Sequence, residues 1–410
     1  MTTLSAQRVT IVGGGMGGLA SALVLRRQGA QVTLFEHAPA FGEVGAGIQL
    51  GPNATRILRE WGLLDEVIAR GFRPENLVLK DAVTGHVLTK QSLGADFVAR
   101  YGAPYLVIHR SDLHAILLEA AEREGVELLV DSHVESIVDD GGEVLVTLAG
   151  GREHRSDAVL AADGLASLTR DAIVGDGPVA SGYVAYRGTL PETGGHGADV
   201  VAWLGPHCHF VQYPLRRGEM LNMVAVFRSP AFLRGEAEWG GVDELDAAYA
   251  ECSPEVQQAV QHLWRDRRWP MYDREPTENW GEGRVSLIGD AAHPMLQYLA
   301  QGACQAFEDA DALDLYAART PGDWPTTFSA LAAARQPRTA RVQRTARVWG
   351  EIWHVDGVGR VLRNELLEHR DLTDYRYLDW LYGRSRDDAG APALGDEAVR
   401  HEQRHQEAAR

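Results

Sequence analysis

Arg8-Val-Thr-Ile-Val12-Gly13-Gly14-Gly15-Met16-Gly17-Gly18 is the stretch whose reading decides the fold. Its first five residues form an apolar run of strand type, and a helix follows from about Gly17 to Gln28. A second short apolar strand, Val32 to Phe35, ends on Glu36. Together they make a strand–helix–strand crossover of the length a parallel pair needs. Gly13, Gly15 and Gly18 occupy the key places of G-x-G-x-x-G. The first permits a tight turn off the strand, the second lets the backbone approach a pyrophosphate, and the third lets helix and sheet pack closely. The helix N-terminus, opening at Met16 and Gly17, presents its positive dipole end to the phosphates. Glu36 stands 23 residues after Gly13, where a carboxylate can accept hydrogen bonds from ribose hydroxyls. The stretch predicts a dinucleotide site without distinguishing FAD from NAD.

The rest of the chain extends this pattern. Leu113 to Glu124 reads as a helix, Asp140-Gly141-Gly142 as a turn, and Ala158 to Ala162 as a strand ending at Asp163-Gly164. Between about Gly182 and Phe227 the period becomes that of strands without crossover helices, which predicts a largely antiparallel sheet. Val285 to Ile288 and a helix from Gly302 to Tyr316 then return to the first pattern. The expected architecture is α/β. Residues 1–75, 100–181 and 270–340 make the dinucleotide domain, 76–99 and 182–269 a second domain, 341–390 a helical C-terminal region, and 391–410 a frayed or disordered tail. Trp349, Trp353, Trp380 and Tyr382 are expected to pack on the body of the protein or on a second subunit.

Composition narrows the partners. The 410 residues carry a formal net charge of -17, which repels polyanions and argues against nucleic acid. An anionic substrate would meet the same repulsion and would need local cations or donors in its pocket. Cys208, Cys252 and Cys304 lack the spacing of a disulfide framework or a zinc site. His207-Cys208-His209 suggests a metal only superficially, because along a strand the cysteine points away from both histidines, so no metal is expected. No apolar run is long enough to span a membrane, and Met1 to Arg8 lacks the core of a signal peptide. A cytoplasmic location is expected.

Two further segments bring a family into view. Val159-Leu-Ala-Ala-Asp163-Gly164-Leu-Ala-Ser167-Leu-Thr-Arg170 resembles the aspartate-glycine motif of the flavoprotein aromatic hydroxylases. Arg284-Val-Ser-Leu-Ile-Gly289-Asp290-Ala-Ala-His293-Pro294 resembles their glycine-aspartate motif. The resemblance implies a Rossmann-like FAD domain of the glutathione-reductase type, with an inserted antiparallel substrate domain. It implies that Asp290 holds the flavin ribityl chain, Asp163 supports the FAD and nicotinamide regions, and Arg110 contacts FAD. It also places Val44, Gly47, Val134, Pro294, Gly302 and Ala303 against the cofactor. FAD would be bound tightly and non-covalently, with NADH as a transient reductant, and the protein would be a homodimer.

Within the family the resemblance runs through Phe41-Gly-Glu-Val-Gly-Ala-Gly-Ile48, Gly182-Tyr-Val-Ala-Tyr-Arg-Gly188 and Trp269-Pro-Met-Tyr-Asp-Arg-Glu-Pro276 toward members that act on hydroxybenzoates. Strand alternation puts His209 and Tyr213 on one face, with Cα atoms roughly 13 Å apart, able to line an aromatic-sized cavity. Gln297 stands where salicylate-type members commonly carry proline, and its amide can orient a phenol or carboxylate. The implied reaction is hydroxylation of 3-hydroxybenzoate by O2, through a flavin C4a-hydroperoxide, to gentisate. His209 would act as base, with Tyr213 and Gln297 orienting the ring. The alternatives are a decarboxylating salicylate hydroxylase, another hydroxybenzoate hydroxylase, and a flavoprotein redox sensor without hydroxylation. A halogenase is disfavoured because Trp264 to Pro270 lacks W-x-W-x-I-P.

Overall fold

The structure, a computed structural model, describes residues 4–42, 47–191 and 197–383. Val44 and the stretch 391–410 therefore lie outside the described residues.

Five parallel strands build the first sheet, in the order Val285–Leu287, Ala158–Ala161, Arg8–Val12, Gln31–Phe35, Glu127–Leu129, with Gly281–Glu282 antiparallel at one edge. Both faces are covered, and the period-2 alternation of side chains assigns each residue to one of them. Val9, Ile11, Val32, Leu34 and Leu160 meet the helices Met16–Arg27, Arg110–Glu124 and Gly302–Arg319. Val12, Phe35 and Val159 meet Val144, Val146 and Leu148 of a three-stranded antiparallel sheet on the other side.

The second sheet has seven strands, in the order Trp269–Asp273, Val179–Pro191, Met220–Arg228, Cys208–Leu215, Val200–Gly205, Asn76–Asp81, Val87–Ser92. Its pairs are antiparallel except Val200–Gly205 with Asn76–Asp81, which run parallel because the latter strand arrives by a long connection from the first sheet. Strand Trp269–Asp273 also belongs here, so this sheet continues into residues expected in the dinucleotide domain. One face, with Cys208, Phe210, Ala225 and Phe227, packs on Leu245, Tyr249, Val256 and Val260 of two helices. The opposite face turns His209, Val211 and Tyr213 toward the first sheet.

The C-terminal region is helical, yet no boundary falls at 340, because one 30-residue helix runs from Trp324 to Trp353 with Pro337 inside it. Helix Gly357–Glu368 is tied to the second sheet through Asp81, whose buried carboxylate accepts from Arg360 Nε and Nη2 at 2.7 and 2.6 Å. Among the described residues, no helix is long and apolar enough to cross a membrane.

Candidate active site

The glycine loop is shaped by contacts only hydrogen side chains allow. Gly13 has φ +104°, and a Cβ there would run into the Ala162 carbonyl, while one on Gly18 would meet the Gly13 carbonyl. A Cβ on Gly15 would meet nothing within 4 Å, so this position opens onto free space where a pyrophosphate could approach. Glu36 braces the loop as well as facing a ribose position. Its Oε2 accepts from Gly14 N–H and its Oε1 from Ala38 N–H, both at 2.8 Å, leaving lone pairs on each oxygen. His114, which sequence reasoning passed over, fixes the loop from below with Nε2 2.7 Å from the Gly14 carbonyl. Val134 lies near the ends of the first two strands, packed with Val12 and Phe35.

The two aspartate motifs meet through Arg170. Its buried guanidinium donates to the Ala292 carbonyl at 2.6 Å and to Asp176 at 2.9 and 2.6 Å. Asp163 Oδ2 accepts from Thr169 Oγ1 at 3.2 Å, but its buried Oδ1 has no partner among the described residues. An orphaned carboxylate oxygen here, an open cradle at Gly15 and a helix start at Gly302 without a side-chain cap together fit a dinucleotide flavin. His293 is structural: Nε2 meets Asp309 Oδ2 at 2.5 Å, and Asp309 is in turn paired with Arg335 at 2.7 Å. Pro294 does not border the cavity described next, and its carbonyl accepts from Gln343 at 2.9 Å.

A cavity of about 670 Å³ joins the two sheets. From the dinucleotide side Gly15, Met16, Gly17, Gly47, Arg110, Asp290, Gly302 and Ala303 line it, from the second sheet His209 and Tyr213 do, and Gln297 joins them from the loop between Asp290 and Gly302. The three residues expected to contact substrate thus line one cavity although 88 positions separate His209 from Gln297. Gln297 sits in the single 3-10 turn Gln297–Leu299, closed by Ala300 at φ +51°. Tyr213 lies over Gly47, and burial pushes its phenol above the ordinary range. Trp349, Trp353, Trp380 and Tyr382 pack on the body of the protein, but they also wall this cavity.

Two features were invisible in the spacing, one on the cavity wall and one behind it. Arg187 borders the cavity with its guanidinium 5.4 Å from the Trp269 ring centroid, and it has no ion pair among the described residues. Its Nε is buried without a hydrogen bond, and burial lowers its proton affinity. Its motif belongs to the family resemblance, but only the folded sheet shows this side chain facing inward. The second is His354, whose Nε2 stands 2.7 Å from His209 Nδ1. Burial pushes His209 down to about 3, so the imidazole is neutral at pH 7.

The cysteines play no visible part in this site. His207 precedes the strand in a turn with φ +56°, while Cys208 faces away to Cys252, with the sulfurs 4.0 Å apart. Burial pushes the Cys304 thiol up to about 12, which keeps it protonated.

Comparisons with known proteins agree with this fold. Residues 6–319 match the family model described as an FAD binding domain. The chain is 40% identical over 388 residues to 3-hydroxybenzoate 6-hydroxylase of Polaromonas naphthalenivorans (strain CJ2), covering 92% of this chain and 95% of that one. It is 37% identical to 3-amino-4-hydroxybenzoate 2-monooxygenase of Streptomyces cremeus, over 96% and 98% of the two chains. Among solved structures, Klebsiella pneumoniae HpxO complexed with FAD and uric acid matches with a TM-score of 0.79 at 26% identity, covering 89% and 93%. A salicylate hydroxylase substrate complex shares the fold, with a TM-score of 0.76 at 23% identity over 96% and 98%.

Proposed function

The chain belongs to the flavoprotein aromatic hydroxylases, FAD-dependent monooxygenases, and from that premise we propose that it converts 3-hydroxybenzoate to gentisate with NADH and O2. The observation that carries the substrate assignment is the placement of His209, Gln297 and an unpaired Arg187 around one cavity beside the flavin-binding loops. The balance is 3-hydroxybenzoate, NADH, a proton and O2 giving gentisate, NAD+ and water. Bound FAD supplies the reducing equivalents and the activated oxygen.

In this reading Gly13, Gly15 and Gly18 hold the pyrophosphate, Glu36 the adenosine ribose, Asp290 the ribityl chain, and Asp163 and Arg110 the remaining polar edges. The chain's own task is to place and activate the ring. Arg187 is the cation that offsets the repulsion an anionic carboxylate meets from a chain of net charge -17. Tyr213 and Gln297 orient the phenol so that the carbon para to its oxygen faces the flavin loop at Gly302. His209 accepts the phenolic proton, because a phenolate is far more electron-rich at that carbon. The aromatic wall of Trp349, Trp353 and Tyr382 keeps water from the reacting atoms.

A homodimer and a cytoplasmic location complete the reading. The exposed apolar side chains Val358, Val361, Leu362 and Leu366 on helix Gly357–Glu368 support the first, and the three free cysteines support the second. The test is to follow NADH consumption by the purified yellow protein against a panel of hydroxybenzoates, identifying products by mass spectrometry. Gentisate from 3-hydroxybenzoate is expected. Catechol and CO2 from salicylate as the preferred reaction would overturn it.

A further inference from the structure

His209 and His354 come from two separate elements, a strand of the second sheet and the C-cap of the long helix. Their ring centroids are 5.0 Å apart with planes 23° from parallel, while Nδ1 of one lies 2.7 Å from Nε2 of the other. That combination places the two nitrogens nearly on the line between the ring centres, so the rings meet edge to edge through a well-aligned hydrogen bond rather than by overlap. Both are buried, at 2% and 3% exposure. His354 is held on its other side by the Tyr183 ring, stacked at 4.5 Å, and its carbonyl accepts from His207 N–H at 3.0 Å.

We propose that His354 is a positioning residue for proton removal from the substrate: its Nε2 accepts from His209 Nδ1–H, leaving the His209 Nε2 lone pair for the phenol. The inference rests on the reading of His209 as the base. A neutral imidazole carries one N–H, so the bond polarity within the pair decides what His209 shows the cavity. If His354 donates, His209 presents N–H and cannot accept a proton. If His354 accepts, His209 presents a lone pair. His354 Nδ1 has no hydrogen-bond partner among the described residues, so none of them locks the opposite tautomer. A phenol O–H at His209 Nε2 therefore selects the productive form of both rings.

The pair also answers an energetic difficulty. Burial disfavours an imidazolium at His209, and among the described residues no carboxylate bonds to either ring to offset it. Among the described residues the groups around the pair include His207 and Arg363, which oppose positive charge, and the Tyr183, Tyr298 and Trp353 rings, with Arg228 and Glu351 acting on Tyr183 and Asp273 on Tyr298. When the phenolic proton reaches Nε2, the bond from Nδ1–H to His354 becomes charge-assisted and about twice as strong. Stabilisation thus appears at the moment the charge does.

The test reads the ionisation of bound 3-hydroxybenzoate in the oxidised holoenzyme without NADH, by difference absorbance of phenolate against phenol between pH 6 and 10. His354→Phe keeps an aromatic ring but no acceptor, and should lower the phenolate fraction at pH 8 about tenfold, the worth of one charge-assisted hydrogen bond. His354→Gln, whose Oε1 can accept from His209, should stay near the unmodified protein. An unchanged phenolate fraction in His354→Phe overturns the inference. If that variant fails to retain FAD, the glutamine variant decides, and a loss as deep as that of His209→Ala overturns it. His209→Ala with an undiminished phenolate fraction would instead remove His209 as the base. A flavin spectrum indifferent to 3-hydroxybenzoate would remove the substrate.

Discussion

The ring of Tyr213 occupies the space a Cβ on Gly47 would need, and Gly47 N–H donates to Asn222 Oδ1 at 2.9 Å. A residue of the flavin side and one of the substrate sheet are thereby locked face to face. Gly47→Ala should displace the tyrosine and raise KM for 3-hydroxybenzoate about tenfold or more, with FAD content little changed. Steady-state kinetics and flavin absorbance check both halves.

Among the described residues Arg187 lines the cavity and has no carboxylate partner. Arg187→Met keeps the stem over Trp269 and removes the charge. The expected loss is about 1.5–3 kcal/mol of binding, roughly ten- to a hundredfold in Kd. A neutral phenol lacking the carboxylate should lose almost nothing. Equal losses for both ligands would show that the arginine acts on the fold rather than on the carboxylate.

His209→Ala should still bind FAD and oxidise NADH, yet release mostly H2O2, with hydroxylation down by about 10²–10⁴. Peroxide and product measured side by side decide the matter. Fully coupled gentisate formation would falsify the assignment of the base.

Gln297→Pro removes the side-chain amide from the turn that leads into Gly302. Turnover of 3-hydroxybenzoate should fall more than flavin affinity does. Unchanged kinetics would take Gln297 out of the specificity argument.

Acid stability has a defined source in Glu308. Burial works against its ionisation, but Arg338 and Arg335 outweigh that and hold it down to about 2, against an ordinary 4.5. A carboxylate with a depressed folded value stabilises fully above about 4.5 and loses that contribution as pH falls toward 2. Denaturation midpoints of the holoenzyme should therefore fall between pH 5 and 3. Glu308→Gln should be less stable at pH 7 by about 3–5 kcal/mol, since it leaves buried arginine charge poorly paired. It should also show a flatter slope in the acid window.

What the sequence by itself determined was local and periodic. The glycine turn, the helix behind it and Glu36 at the next strand end all follow from short spacings, because backbone conformation and strand alternation act over a few residues. Asp163 and Asp290 were legible in the same way, each just beyond an apolar strand in the run of a known motif. Alternation alone also put His209 and Tyr213 on one face. It did not show what that face would meet.

Only the tertiary structure decided the rest. His354 lies 145 residues from His209, beyond any periodicity, and reaches it because the long C-terminal helix ends against the second sheet. Arg187 reads as one more residue of a strand until the fold leaves it in the cavity with no carboxylate partner among the described residues. Trp349, Trp353 and Tyr382 were expected merely to pack, but packing on the second sheet and the segments beside it made them a wall of the site. The common reason is that burial and desolvation arise when distant segments close on each other. A spacing of residues records which face a side chain takes, and the closed fold sets its partner, its charge and its exposure to water.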